Sequence, residues 1–224
     1  MVWTRNTMLA AVMVALVTGT AKAGIIFEVT DIWFGQAGTD LTTDWFELKN
    51  SGDMPWINGV SGVLTVNDNS GGTGTDALVQ DINDILPGES VIVLMEGDET
   101  AKQTFFDVWN PVLPQRLGNI GYAQGSGLGL GSGGDAVNVY LDDVLHDSES
   151  YATNLFTPDA ASWDVTLGDY SFVGNASGAV ATLALGGDNA DTPAVGSPIS
   201  IPEPGTIAML LVGMAGMAWA GRRN

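Results

Sequence analysis

The sequence predicts a mainly β chain: an antiparallel sandwich with one short internal helix, carried between an apolar helix at each end. Three observations predict it. Short runs rich in β-branched and aromatic residues recur from residue 25 to 151, each bounded by Gly, Asp, Asn or Pro. Only one internal stretch, 98–110, spaces its apolar residues as a helix does. Uncharged apolar runs sit at the two ends, over 8–17 and 206–220.

The first end reads as a secretory signal peptide, residues 1–23. Arg5 precedes the apolar run Met8–Val17, and Ala21-Lys22-Ala23 is a small-x-small site, with cleavage expected after Ala23. The run is too short for a membrane helix.

Internal elements follow in order. Ile25–Trp33 is a first strand and Asp44–Asn50 a second, with Phe46 and Leu48 on one face and Trp45, Glu47 and Lys49 on the other. Trp56–Val66 supplies another strand region, and Leu78–Ile85 alternates as a strand would. Leu86-Pro87-Gly88-Glu89 is a turn with Pro at a favoured position. Ser90–Met95 is apolar on both faces, as a central buried strand must be. In the helix, Asp98 can cap, Glu99 suits the first turn, Phe105, Val108 and Trp109 form one stripe, and Pro111 stops it. Gly129–Gly134 spells G-x-G-x-x-G, but the run after it, Ala136–Leu141, alternates like a strand, so the glycines read as turn formers rather than a dinucleotide site. Val144–Tyr151 returns through Asp142-Asp143 as a hairpin. Over 153–198 the short strands Ser162–Thr166, Tyr170–Val173 and Val180–Leu185 are followed by 186–198, a Gly, Asp and Pro-rich flexible spacer.

Residues 25–152 resemble a lamin-tail domain of the bacterial secreted type. The resemblance rests on the opening strand, on Asp44-Trp45-Phe46-Glu47-Leu48-Lys49-Asn50, on Leu86-Pro87-Gly88-Glu89-Ser90 with Val91–Leu94, and on Gly127-Leu128-Gly129 leading to Gly133-Gly134-Asp135-Ala136-Val137. Leu64 stands where that family usually has a Trp. The resemblance implies an immunoglobulin-like sandwich for residues 24–152 and no catalysis.

The far end, 199–224, opens with Pro202-Glu203-Pro204, which no helix crosses. An uncharged helix over 206–220 follows, at or just under membrane-spanning length, and Arg222-Arg223 would hold its end on the cytoplasmic side. This order closely resembles the PEP-CTERM sorting signal of Gram-negative bacteria, also known as the ice-binding-protein C-terminal domain. The resemblance implies one partner, a membrane exosortase that processes the chain near Pro-Glu-Pro. It also implies transient anchoring through 206–220, then a cell-surface or extracellular destination.

Charge bounds the partners. Outside the two processed ends only Lys49, Lys102 and Arg116 remain against 26 acids, a net charge of −23. Such a surface repels phosphate backbones, so nucleic acid is not an expected partner, and it attracts cations. There is no Cys, hence no disulfide and no thiolate chemistry. The one histidine, His146, reads as a surface residue whose pKa Asp147 raises. Calcium is the candidate cofactor, at Asp68 and Asp76 (with Asn67 and Asn69) or at Asp142 and Asp143 (with Asp147 and Glu149); neither set has EF-hand spacing. Trp33, Trp45, Trp56, Trp109 and Trp163 read as core or rim, or as a carbohydrate-stacking platform, with Trp45 the best placed to face a partner. Asn175-Ala176-Ser177 matches a glycosylation acceptor. The expected function is an exported, non-catalytic surface or matrix protein of a biofilm or exopolysaccharide layer. The alternatives are a calcium-dependent or carbohydrate-binding adhesin and a small secreted hydrolase using paired carboxylates, whose pairing sequence cannot show.

Overall fold

A computed structural model describes residues 24–35, 41–68, 76–125, 127–131, 133–152, 161–185 and 193–199. The expected signal peptide, the 206–220 helix, and the sites Ala21, Ala23, Pro202, Glu203, Pro204, Arg222 and Arg223 lie outside the described residues.

The chain is mainly β with one helix. Strands β1 (Phe27–Trp33) and β2 (Trp45–Asn50) pair antiparallel, and β7 (Ser90–Met95) pairs with the other edge of β2. Between β2 and β7 come β3 (Trp56–Ile57), β4 (Leu64–Asn67), β5 (Ala77–Gln80) and β6 (Asp84–Ile85). The Trp56–Val66 region is thus two short strands, broken where Gly59 and Gly62 take positive φ. The turn into β7 is type II: Glu89 N donates to Leu86 O at 2.9 Å, and Gly88 supplies the φ of +79° that its third position requires.

Helix α1 (Glu99–Trp109) begins where Asp98 accepts from Ala101 N at 2.8 Å. It carries the chain across to β8 (Ile120–Ala123), which runs parallel to β7. The expected all-antiparallel sandwich is corrected here. A parallel neighbour needs a crossover of about a dozen residues or more, and α1 with its flanks provides one. Next come β9 (Asp135–Leu141) and β10 (Val144–Tyr151), joined by Asp142 and Asp143 at φ of +50° and +62°, the two-residue geometry that matches strand twist. A strand, not a helix, follows Gly129–Gly134, so the phosphate-binding arrangement does not form.

Past residue 152 the same sheet continues. β11 (Trp163–Asp164) pairs with β1, and β12 (Asp169–Tyr170) with β11; β13 (Val180–Leu185) and β14 (Pro193–Gly196) form a separate hairpin. The large sheet runs β10-β9-β4-β5-β8-β7-β2-β1-β11-β12. It folds over, since Val29 N on β1 donates to Asp147 Oδ2 on β10 at 2.6 Å. Phe27, Val29, Phe46, Leu48, Val91 and Val93 therefore meet Leu64, Val66, Val137 and Val139 in one core.

The outer face of β1, β2 and β7 is covered as well. Trp33, Trp45, Ile92 and Leu94 pack against Phe105 and Trp109 of α1 and Ala194 of β14. Two covered faces explain why every residue of β7 is buried. They also correct the described part of the expected 186–198 spacer, whose first residues, 186–192, lie outside the described residues: Pro193–Gly196 is a strand, and its continuation bonds into the sheet. A Gly- and Pro-rich composition reports local flexibility and is silent about an apolar surface waiting to dock it.

Candidate functional site

The site lies on that outer face, where a bulge interrupts the β1–β2 ladder. Register shifts between Val29 and Asp31, leaving Thr30 unpaired and setting Asp31 directly opposite Glu47. Asp31 also faces Asp164 on its other side. Asp31 is 2% exposed, Glu47 8% and Asp164 1%.

Each carboxylate is held by donors from the chain itself. Asp31 Oδ2 accepts from Ser197 N at 3.1 Å and Ser197 Oγ at 3.0 Å, and its Oδ1 from Ile32 N at 3.1 Å. Glu47 Oε2 accepts from Ile199 N at 2.8 Å, and Oε1 from Thr30 Oγ1 at 2.8 Å. Asp164 accepts from Asn175 Nδ2, Ser177 Oγ and Leu167 N. A cavity of about 200 Å³ remains beside the pair, lined by Thr30, Lys49, Ser90, Thr166 and Ser177 among others.

Electrostatics set the protonation. Burial pushes the Asp31 carboxyl up to about 7; the Glu47 charge adds to this, while hydrogen bonds from Ser162 and Ser197 oppose it. Glu47 is raised in turn, chiefly by burial, against the Ile199 amide, the Thr30 and Ser90 hydroxyls and Lys49. Two like-charged groups this deep favour keeping one proton between them. Chemically the pair is an acceptor site for extended backbone, and the backbone it holds is Ser197–Ile199.

Sequence reasoning passed over Asp31 and Glu47. The available signal was a carboxylate alternating with a tryptophan on each strand, Asp31 with Trp33 and Glu47 with Trp45. The residues it did single out are placed separately. Asp68 is buried, while Asp76 Oδ1 accepts from Asn67 Nδ2 at 2.6 Å; Asn69 lies outside the described residues. Asp142 Oδ1 accepts from Val63 N at 2.9 Å at the hairpin turn, and Asp143 is its exposed neighbour. Asp147 serves Val29, and burial with the Asp147 charge raises Glu149. Among the described residues no three His, Cys, Asp or Glu side chains gather as a metal-holding group.

The expectation for His146 is corrected. His146 has its pKa lowered, by burial, and packs 5.7 Å from the Phe27 ring. Trp45 does not face a partner: it stacks on Trp33 at 6.3 Å and meets Trp109 edge-on at 5.9 Å. Of the two readings of the tryptophans, core and rim holds: Trp33, Trp45, Trp56 and Trp109 are all buried, and Trp163 packs edge-on against Tyr170. Alternation identified the shared face of Trp45; that α1 covers it is a tertiary fact. The Asn175 amide is buried against Asp164 and is not presented for glycosylation.

Comparison with known families places the tail. Residues 200–224 match the PEP-CTERM protein-sorting motif. The PEP-CTERM motif marks an exported chain, an exosortase as its processing partner, and a surface or extracellular destination. It begins at the residue after Ile199, the last one bonded to the carboxylate pair. No helix among the described residues is long and apolar enough to cross a membrane. None of the curated proteins or solved structures matches the chain.

Proposed function

We propose that this chain is an exported, non-catalytic surface or matrix protein of a Gram-negative cell, a lamin-tail-like, immunoglobulin-like sandwich delivered by its PEP-CTERM tail into an exopolysaccharide or biofilm layer. Residues 206–220 anchor it until an exosortase processes it near Pro202-Glu203-Pro204. The observation that carries the reading is the PEP-CTERM match at 200–224, set directly behind a folded β-rich body. The non-catalytic reading is supported by the buried Asp31–Glu47 pair, whose oxygens accept from Ile32, Thr30, Ser197 and Ile199.

Mass spectrometry of the protein from its own cells, with and without exosortase, tests this. A mature form ending near Pro202–Pro204 only when exosortase is present is the expected result. An intact Asn224 terminus in both strains would leave a plain membrane anchor and overturn the reading.

A further inference from the structure

The segment that docks on the carboxylate pair is also the segment that lies just upstream of the processing site. Ser197 and Ile199 are five and three residues before Pro202. A protease acting on a backbone bond takes several residues on either side of it in extended form, so a bond at Pro202–Pro204 requires 197–201 to lie in the enzyme's groove. In the folded protein Ser197 N, Ser197 Oγ and Ile199 N are committed to Asp31 and Glu47. Chain length alone keeps Pro202 within about 11 Å of Ile199, and Pro204 within about 18 Å, while Ile199 is held.

We propose that Pro193–Ile199 is an autoinhibitory strap: Asp31 and Glu47 compete with the exosortase for the same backbone, and processing proceeds only from the undocked state. This rests on the exosortase reading above. The strap is suited to opening. β14 is four residues long, its pairing with β13 is irregular between Ala181 and Leu185, and its one backbone bridge to β11's flank is Ala161 with Val195. Terminal elements with so few pairings open locally below the free energy of global unfolding, here at the cost of exposing Ala194 and Val195, which are buried when docked. Where opening and closing are fast relative to cleavage, the rate follows the open population.

The acceptor variants leave the strap's own sequence unchanged, and the double variant changes only Val195 within it. Pulse-labelled full-length chain is followed in exosortase-containing cells for wild type, Asp31→Ala and Glu47→Ala, and for the double variant Ala161→Cys, Val195→Cys, which bridges strap to body in a chain otherwise free of cysteine. The expected result is a several-fold faster appearance of the processed form in the two acceptor variants. The oxidised double variant should resist processing, with recovery on reduction. Processing of the oxidised variant at the wild-type rate overturns the strap whatever the acceptor variants do, and so does an unchanged or slower rate in both acceptor variants. Failure of the underlying reading is distinct: wild type would then show no exosortase-dependent form at all, and the strap proposal would fall with it.

Discussion

Asp31 and Glu47 stand directly opposite each other on adjacent strands, both buried, and each accepts a backbone amide from the last described residues of the chain. Two buried carboxylates side by side cost free energy unless a proton or good donors offset it. Here both devices operate, which makes the pair sensitive to pH.

The sign follows from the Asp31 value. Its folded pKa, about 7, lies above the ordinary carboxylate value of about 3.9. The folded state therefore binds the proton more tightly, and the stability this contributes is present at pH 4 and lost as pH rises through 7. Glu47 acts in the same direction; His146, lowered by burial, opposes it below about 6.5. Lys49 and Asp164 are the other charged groups beside the pair. Urea unfolding is expected to give greater stability at pH 5 than at pH 8, by on the order of a few kcal/mol. Asp31→Asn should flatten that difference; an equal slope in the variant would assign the effect elsewhere.

Asn50 ties three segments together. Its Nδ2 donates to Met54 O at 2.8 Å and Ile85 O at 3.0 Å, and its Oδ1 accepts from Gly52 N at 3.1 Å. The side chain is fully buried. Asn50→Ala strands these groups, at about 1–3 kcal/mol for each buried one left unpaired. A drop of at least about 2 kcal/mol in the unfolding free energy is expected; a change under 0.5 kcal/mol, the usual size for an unimportant surface site, would show that water replaces the amide.

Trp109 caps the outer face. It is buried against Trp45 and Phe105, yet its Nε1 has no hydrogen-bond partner. Trp109→Ala should cost about 3–5 kcal/mol through the cavity it leaves. Trp109→Phe should cost clearly less, because it removes an unpaired donor along with some area. Equal losses in chemical denaturation would mean that the Nε1 is satisfied in solution.

Gly121 has no room for a side chain. A Cβ there would overlap Ile82 Cγ1 and the carbonyl oxygen of Gln80. Gly121→Ala must push β5 and β8 apart where Val79 pairs with Ala123. Overpacking of this kind costs about 1–3 kcal/mol. Amide exchange is expected to accelerate in β5 and β8 first; acceleration confined to α1 would contradict this placement.

Much of this was legible beforehand, residue by residue. Phe46 and Leu48 were assigned to one face of β2 and Trp45 and Glu47 to the other, because a strand's period of two is a local property. Asp98 as a cap and Pro87-Gly88 as a turn are equally local. The candidate site was not legible. Asp31 and Glu47 lie 16 residues apart and Ser197 another 150 on, and nothing in the neighbourhood of any one of them announces the others.

By itself, then, the sequence determined most of the strands, though neither β8 nor β14, together with the helix and its cap, the tight turns and the sorting tail. Each depends on residues within a few positions of one another, whose backbone preferences and spacing act before any packing. Only the tertiary structure decided that β8 runs parallel to β7, that α1 hides Trp45, and that residues 193–199 dock on two buried carboxylates. Those outcomes depend on which apolar faces find each other, and on how burial re-sets the protonation of groups that are ordinary acids in the unfolded chain.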